Sequence, residues 1–461
     1  MKALRGHSRK ITASRCVGLG VFGVLLSVAV APAAADSAAQ AQTPPQAQAT
    51  PGPGPSPEPT PGALAATAVA TAPQPARPNY FFPDVPAKAL IHDGEHFWIK
   101  PIFAVVGDYT WFAQDDASLA QVGEQENTPE LRAGRVGITV RSKDRLKLEF
   151  YTTVDYQERR TRDGAHFQLY DLQLRIPLGP VKLQIGKQKI PFSYELVGLS
   201  VLLPQQERIL LPFFPSRNIG VQLLGQLAGG RVTWQAGWFN DWLETGVSRK
   251  DNASDYVGRV SGLAWVSPDS RDYLHLGLGL MHRGPDSGEL RFAGRPESNV
   301  ADKFTDTGDF PANHANQLSL EGLVSRGPFS LLAERIEARV DAPESGDPKF
   351  WGAYAAASWV LTGESRLYNR VGGYATAIVP KRRLGAVELV AKYSRVDLTD
   401  GPIDGGLLDN WHFGVNWWAS AQWKVLAPVI RPMTSLRPVG RTPSTVSAAT
   451  VRSRSFWTAI G

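Results

Sequence analysis

Lys182, Lys187 and Lys189 stand close together, Arg208 follows in a long apolar stretch, and Arg217 comes just after it. Clustered ammonium and guanidinium groups can replace part of an anion's hydration with charge-assisted hydrogen bonds, which is how rings of Lys and Arg select anions in pores. Arg135, Arg141, Lys147 and Arg175 add positive charge upstream. Taken singly, each could equally be a solvated residue paired with Glu149, Asp155 or Asp171. Signs of catalysis are weak. The eight histidines are scattered, and His92 and His96 have helical spacing without a helix. Gly363-Glu364-Ser365 lacks the spacing of a nucleophile elbow, and no glycine loop ends in Lys-Ser/Thr. The one cysteine, Cys16, lies near the N-terminus, so thiol chemistry, disulfides and cysteine-held metals are not expected. No catalytic residue, metal or cofactor is expected.

The elements that must position these basic residues are strands. In RLKLEFYTTVDY, Leu146, Leu148, Phe150, Val154 and Tyr156 fall on one face, and Lys147, Glu149, Tyr151 and Asp155 on the other. Fourteen such stretches run from about Phe97 to Ala421. Short turns at 142–144, 178–180, 228–230, 267–271 and 326–328 take turns with long links at 113–133, 157–165, 190–216, 242–254, 283–314 and 341–348. A membrane barrel has this rhythm, with lipid outside, water inside, short turns on one rim and long loops on the other. The prediction is an all-β, transmembrane antiparallel β-barrel. Leu146, Leu148, Phe150, Leu172, Leu174, Ile176, Val221, Leu223, Leu274, Leu276 and Leu278 should face lipid. Arg135, Arg141, Lys147 and Arg175 should line the lumen. One link breaks the rhythm, since 362–384 is long where a short turn is due. The link 190–216 is too apolar for an exposed loop, with Leu199–Leu203 and Ile209–Phe214, and should fold inward and carry Arg208 with it. Tryptophans at Trp98, Trp111, Trp234, Trp238, Trp242, Trp411, Trp417 and Trp418 suit the two lipid interfaces.

The ends of the chain read differently. Residues 1–35 combine a basic start, an apolar run from Cys16 to Val30 and small residues before Asp36, which is the pattern of a secretory signal. Residues 36–79 are Ala/Pro-rich and lack the periodicity to bury a core. The barrel is assigned to 80–421. Beyond it, 422–461 holds four prolines and no acid, and reads as a disordered basic tail, the product of a shifted reading frame or else a lineage-specific extension, that does not complete the barrel. Five basic residues fall in 1–35 and six from 422 onward, with no acid in either. The chain's 49 basic against 43 acidic residues therefore becomes 38 against 43 between them, a net −5. A surface made for nucleic acid is not expected from that balance.

GKQKIPFSYE, then Glu207–Arg208, then PSRNIGVQLLG resemble the phosphate-selective porin O and P family, as do WVLTGESRLY, GAVELVAKYSRVDLTDG and FGVNWW. The resemblance implies a 16-stranded outer-membrane barrel, usually a homotrimer, that conducts small anions such as phosphate or polyphosphate past an inward loop and a ladder of Arg and Lys. By motif, Lys187, Lys189, Arg208 and Arg217 carry that role here, with Lys182 beside them. Three other readings stay open: a porin for general solutes, a hydrolase borne on a barrel, and a soluble secreted binding module.

Overall fold

The structure is a computed structural model that describes residues 89–156, 166–242, 253–285 and 288–435. The proposed signal segment, the Ala/Pro-rich linker and the chain after 435 lie outside the described residues. Sixteen strands form one antiparallel sheet in chain order. They are β1 (His92–Asp93), β2 (Phe97–Thr110), β3 (Thr128–Ser142), β4 (Glu149–Tyr156), β5 (Phe167–Leu178), β6 (Val181–Lys189), β7 (Arg217–Leu227) and β8 (Val232–Asn240). After these come β9 (Ser254–Val266), β10 (Tyr273–Arg283), β11 (His314–Arg326), β12 (Phe329–Asp341), β13 (Lys349–Val360), β14 (Ala386–Asp400), β15 (Ile403–Trp418) and β16 (Lys424–Ser435). The fourteen strands legible in the sequence are β2 to β15. The fold is a β-barrel whose wall is made by hydrogen bonding between consecutive neighbours.

The alternation of side chains holds in space. Phe150, Leu172, Leu174, Val221, Leu223, Leu276 and Leu278 are exposed on the outer face, while Glu149, Asp171, Gln173 and Gln222 are buried on the inner one. In a membrane, the exposed row meets lipid and the buried row meets the lumen and whatever fills it. Trp359, Trp411 and Trp417 face outward, whereas Trp418 is buried and donates from Nε1 to Glu388 at 3.1 Å.

Two expectations are corrected here. The chain from 422 onward was expected to be an unrelated tail, but Lys424–Ser435 is β16, paired along its length with Leu407–Trp418. Pro428 and Pro432 are four residues apart, so both missing N–H groups fall on the same side of the strand. Proline is tolerated in that way on a strand at the edge of a sheet, which is where β16 stands among the described strands. Its inner residues Lys424, Leu426 and Ile430 are buried. Leu426 shares an apolar cluster with Val106 of β2 and Ala133 of β3, so the two ends of the sheet approach the same packing. Lys147 is the second correction. Strand β4 begins only at Glu149, and Lys147 sits in the preceding turn, exposed, at φ 48°, with its backbone N–H bonded to Asp144. The Asp144 carboxylate organises that turn, and Lys147 is on the rim instead of in the lumen.

Candidate pore constriction and its basic cluster

The link between β6 and β7 folds into the barrel, as its composition predicts. Ile190, Phe192, Leu196, Leu210 and Phe213 are fully buried. The link is tied across the lumen by wall residues from several strands. Glu334 of β12 accepts from the N–H of Tyr194 at 2.9 Å and of Glu195 at 3.1 Å. Asn416 of β15 donates to Pro204 O at 2.8 Å, and Lys424 of β16 donates to Leu203 O at 2.7 Å. The link 284–313 reaches the same junction. Its Glu297 lies 3.3 Å from Lys392, which is 3.5 Å from Glu195 of the first link. Burial alone would raise the Glu297 carboxyl, but Lys392 and His412 outweigh it and hold the group down at about 2, so Glu297 is a carboxylate at neutral pH.

The long link where a short turn was due also enters the lumen, from the opposite rim. Arg366 is buried, donates to Leu202 O at 3.0 Å and pairs with Glu388 at 2.5 Å. Arg259 holds Gly373 O at 2.8 Å, and the N–H of Ala375 donates to Tyr194 Oη at 2.9 Å. The two links thus meet inside the wall. Sequence reasoning saw the length of this segment and not its direction. The pairing of a buried Arg366 with Glu388 is invisible in one dimension, because neither residue departs from an ordinary polar pattern.

Most of the basic residues singled out in the sequence gather in two places. On the wall near the short turns, Arg141 and Arg175 both bond Glu149, with Arg141 Nε at 2.8 Å and Arg175 Nη1 at 2.5 Å. Arg175 also donates to Gln173, and Lys182 lies within electrostatic reach of this ladder. Farther up, Arg135, Lys189, Arg208 and Arg217 line one small cavity with Tyr170, between the wall and the inward link at Leu199–Val201. Its volume is only about 20 Å³, roughly the room of one water. Tyr170 is the centre of the group. The Arg217 guanidinium lies 3.6 Å from the ring centroid and that of Arg135 lies 3.9 Å from it. Cations over an aromatic face are held without being neutralised. Arg217 also bonds Asp171 at 3.1 Å, and Arg135 pairs with Asp155 at 3.1 Å. Lys189 and Arg208 are fastened otherwise. Lys189 donates to the carbonyls of Val197 and Gly198, and Arg208 to those of Glu195 and Gly198. No carboxylate lines the cavity.

Lys187 does not join this cavity. Gly186 adopts φ 119°, and a Cβ there would come within 2.0 Å of Leu172 O. The alternation that carries Lys182 and Gln184 inward breaks at that glycine. Lys187 and Gln188 are then both buried, with Lys187 in register with Leu172 and Ile219. Tyr170, by contrast, was missed. It sits where β5 has a bulge against β4, which turns it inward beside Asp171. Strict alternation puts Tyr170 in phase with lipid-facing Leu172 and Leu174, so the sequence carried no signal for its inward turn.

This wall, with two inward links and cations at a narrow point, defines a channel-forming barrel of the bacterial outer membrane. The chain belongs to the phosphate-selective porin O and P family, whose sequence model matches residues 103–452. Porin O of Pseudomonas aeruginosa is 24% identical over 229 residues, which are 42% of this chain and 52% of that protein. An uncharacterized protein of Caulobacter vibrioides is 26% identical over 270 residues, covering 54% of this chain and 53% of that one. The chain spans about half the length of the curated relatives it matches. An anion-selective porin from Comamonas acidovorans superposes with a TM-score of 0.50 over 79% of this chain and 100% of its own, at 13% identity, a likeness of fold.

Proposed function

We propose that this porin lets small anions, phosphate or polyphosphate among them, diffuse passively across the outer membrane, and that it acts as a channel and not as an enzyme. One observation carries the reading: Arg135, Lys189, Arg208 and Arg217 converge on one small cavity beside the inward link, and no carboxylate lines that cavity. In a water-poor constriction such charges act with little screening, whereas the net −5 of the surrounding chain is spread over distances that salt attenuates. Family membership supports a homotrimer as part of this proposal.

A porin for general solutes is the second reading. It is favoured by the acidic residues Glu124, Glu126, Glu130 and Asp302 around a cavity of about 370 Å³ between the 111–127 and 284–313 links. Reversal potentials in planar bilayers under a salt gradient separate the two. Anion-selective potentials that collapse in Lys189→Glu/Arg208→Glu support the first reading, and potentials near zero in the unmutated protein refute it.

A further inference from the structure

On the outside of the barrel, β13 presents Trp351, Ala353, Ala355, Ala357 and Trp359 in alternation with buried Tyr354, Ala356, Ser358 and Val360. Three alanines between two tryptophans leave a trough in the wall. Leu331, Ala357, Ala391 and Phe413 lie in one register row, and they line an outward groove of about 810 Å³. Two rows nearer the long-link rim, Arg335, Ala353 and Arg395 stand side by side. Neighbouring strands are about 4.8 Å apart, so the two arginine backbones are about 10 Å apart across an alanine. That is a gap which two guanidinium side chains can close on a phosphate from both sides.

The surroundings favour an anion there. Arg335 stacks on Trp351 at 4.4 Å. Arg335 and Arg339 share Glu337, at 4.0 and 2.9 Å, and Arg395 has Asp409 at 3.3 Å. Lys349 is in register with Arg339 and Asp397 with Trp351, so Arg335, Arg339, Lys349 and Arg395 stand among the three carboxylates Glu337, Asp397 and Asp409. The same row continues into outward-facing Leu320 and Leu278. Arg335 therefore interrupts the outward apolar row, where an arginine is unfavourable unless something meets its charge.

We propose that this trough and its arginine pair bind one phosphorylated lipid of the outer leaflet, with an acyl chain over the alanines and a phosphate between Arg335 and Arg395. A trough made by alanine suits a hydrocarbon chain, and surplus positive charge at its outer end suits the headgroup.

The test is native mass spectrometry of the full chain, delipidated in mild detergent and then mixed with bis-phosphorylated lipid A. One lipid per barrel is expected. Arg335→Gln/Arg395→Gln should weaken retention by roughly tenfold or more, since each basic residue near an anionic headgroup adds to binding. Ala357→Phe, which fills the groove and leaves the charges, should also weaken it. Dephosphorylated lipid A should bind poorly, and excess inorganic phosphate should displace nothing. Single-channel conductance should match the unmutated protein in both variants, which shows that they are folded. Equal retention by the unmutated protein and the double variant overturns the proposal. So does an Ala355→Cys variant that forms disulfide-linked barrels in membranes in high yield, since a second copy would then cover the trough.

Discussion

The two groups of basic residues on the lumen wall differ in what holds them. In the ladder of Arg141, Glu149 and Arg175, a carboxylate sits between two guanidinium groups and cancels much of their field. Around Tyr170, Arg135 and Arg217 lie on an aromatic face and pair with Asp155 and Asp171, whereas Lys189 and Arg208 are fastened by carbonyl oxygens of the inward link. A carbonyl or a ring orients a cation without removing its charge. Basic residues on one wall can therefore serve different ends: the ladder braces β3, β4 and β5, and the upper group presents charge to what passes.

Charge reversal at the upper group should give the largest effect. Lys189→Glu/Arg208→Glu should shift the reversal potential toward cations, most strongly at low salt where screening is weakest. An unchanged potential would mean that the upper group does not set selectivity. The reverse manipulation sharpens the contrast. In Glu149→Gln the ladder loses its central carboxylate, so anion preference should rise while stability falls by about 3–5 kcal/mol, because two buried charges lose their partner. Denaturant melts paired with reversal potentials check both halves. The neighbouring residue tests the wall itself. Phe150→Arg places a charge on the lipid side and should cost roughly 2–4 kcal/mol near mid-membrane, with selectivity intact. Tyr170→Leu removes the ring and keeps every charge, so a smaller loss of anion preference is expected, about 1 kcal/mol of cation–ring attraction. Lys187→Glu should change selectivity least. A shift as large as that of the double variant would place Lys187 at the constriction after all.

Much of this architecture was legible in the sequence, for a physical reason. A wall between lipid and water imposes a period of two on its strands, and β2 to β15 follow it apart from local breaks such as the bulge in β5 and Gly186 in β6. Strand β16 escaped notice because its inner face packs on apolar groups instead of lining water. With Leu426 and Ile430 inward and Ala427 and Val429 outward, the pattern is greasy on both faces. The inward link after β6 declared itself through surplus apolar residues. The link after β13 did not, since it is held by Arg366, Arg259 and backbone carbonyls, which look like any polar loop. At the candidate site, Lys189, Arg208 and Arg217 line one cavity, and their order around a single link had suggested that they lie near one another. Lys187 and Lys147 fall elsewhere, because one positive-φ glycine and one turn, features without a period, override the alternation around them.

The bond between Ala375 and Tyr194 joins positions 181 residues apart in the chain. One partner belongs to a link that enters from one rim, the other to a link that enters from the opposite rim. Neither contact can form until the wall between them has rolled up, so the interior is set after the cylinder exists. Loop-closure entropy makes such distant pairings slow to arise, and a barrel rich in them should pass through a hollow intermediate before its lumen fills. That intermediate would conduct more current than the finished protein. A newly inserted barrel should therefore start wide and step down to its working bore as the two links find each other.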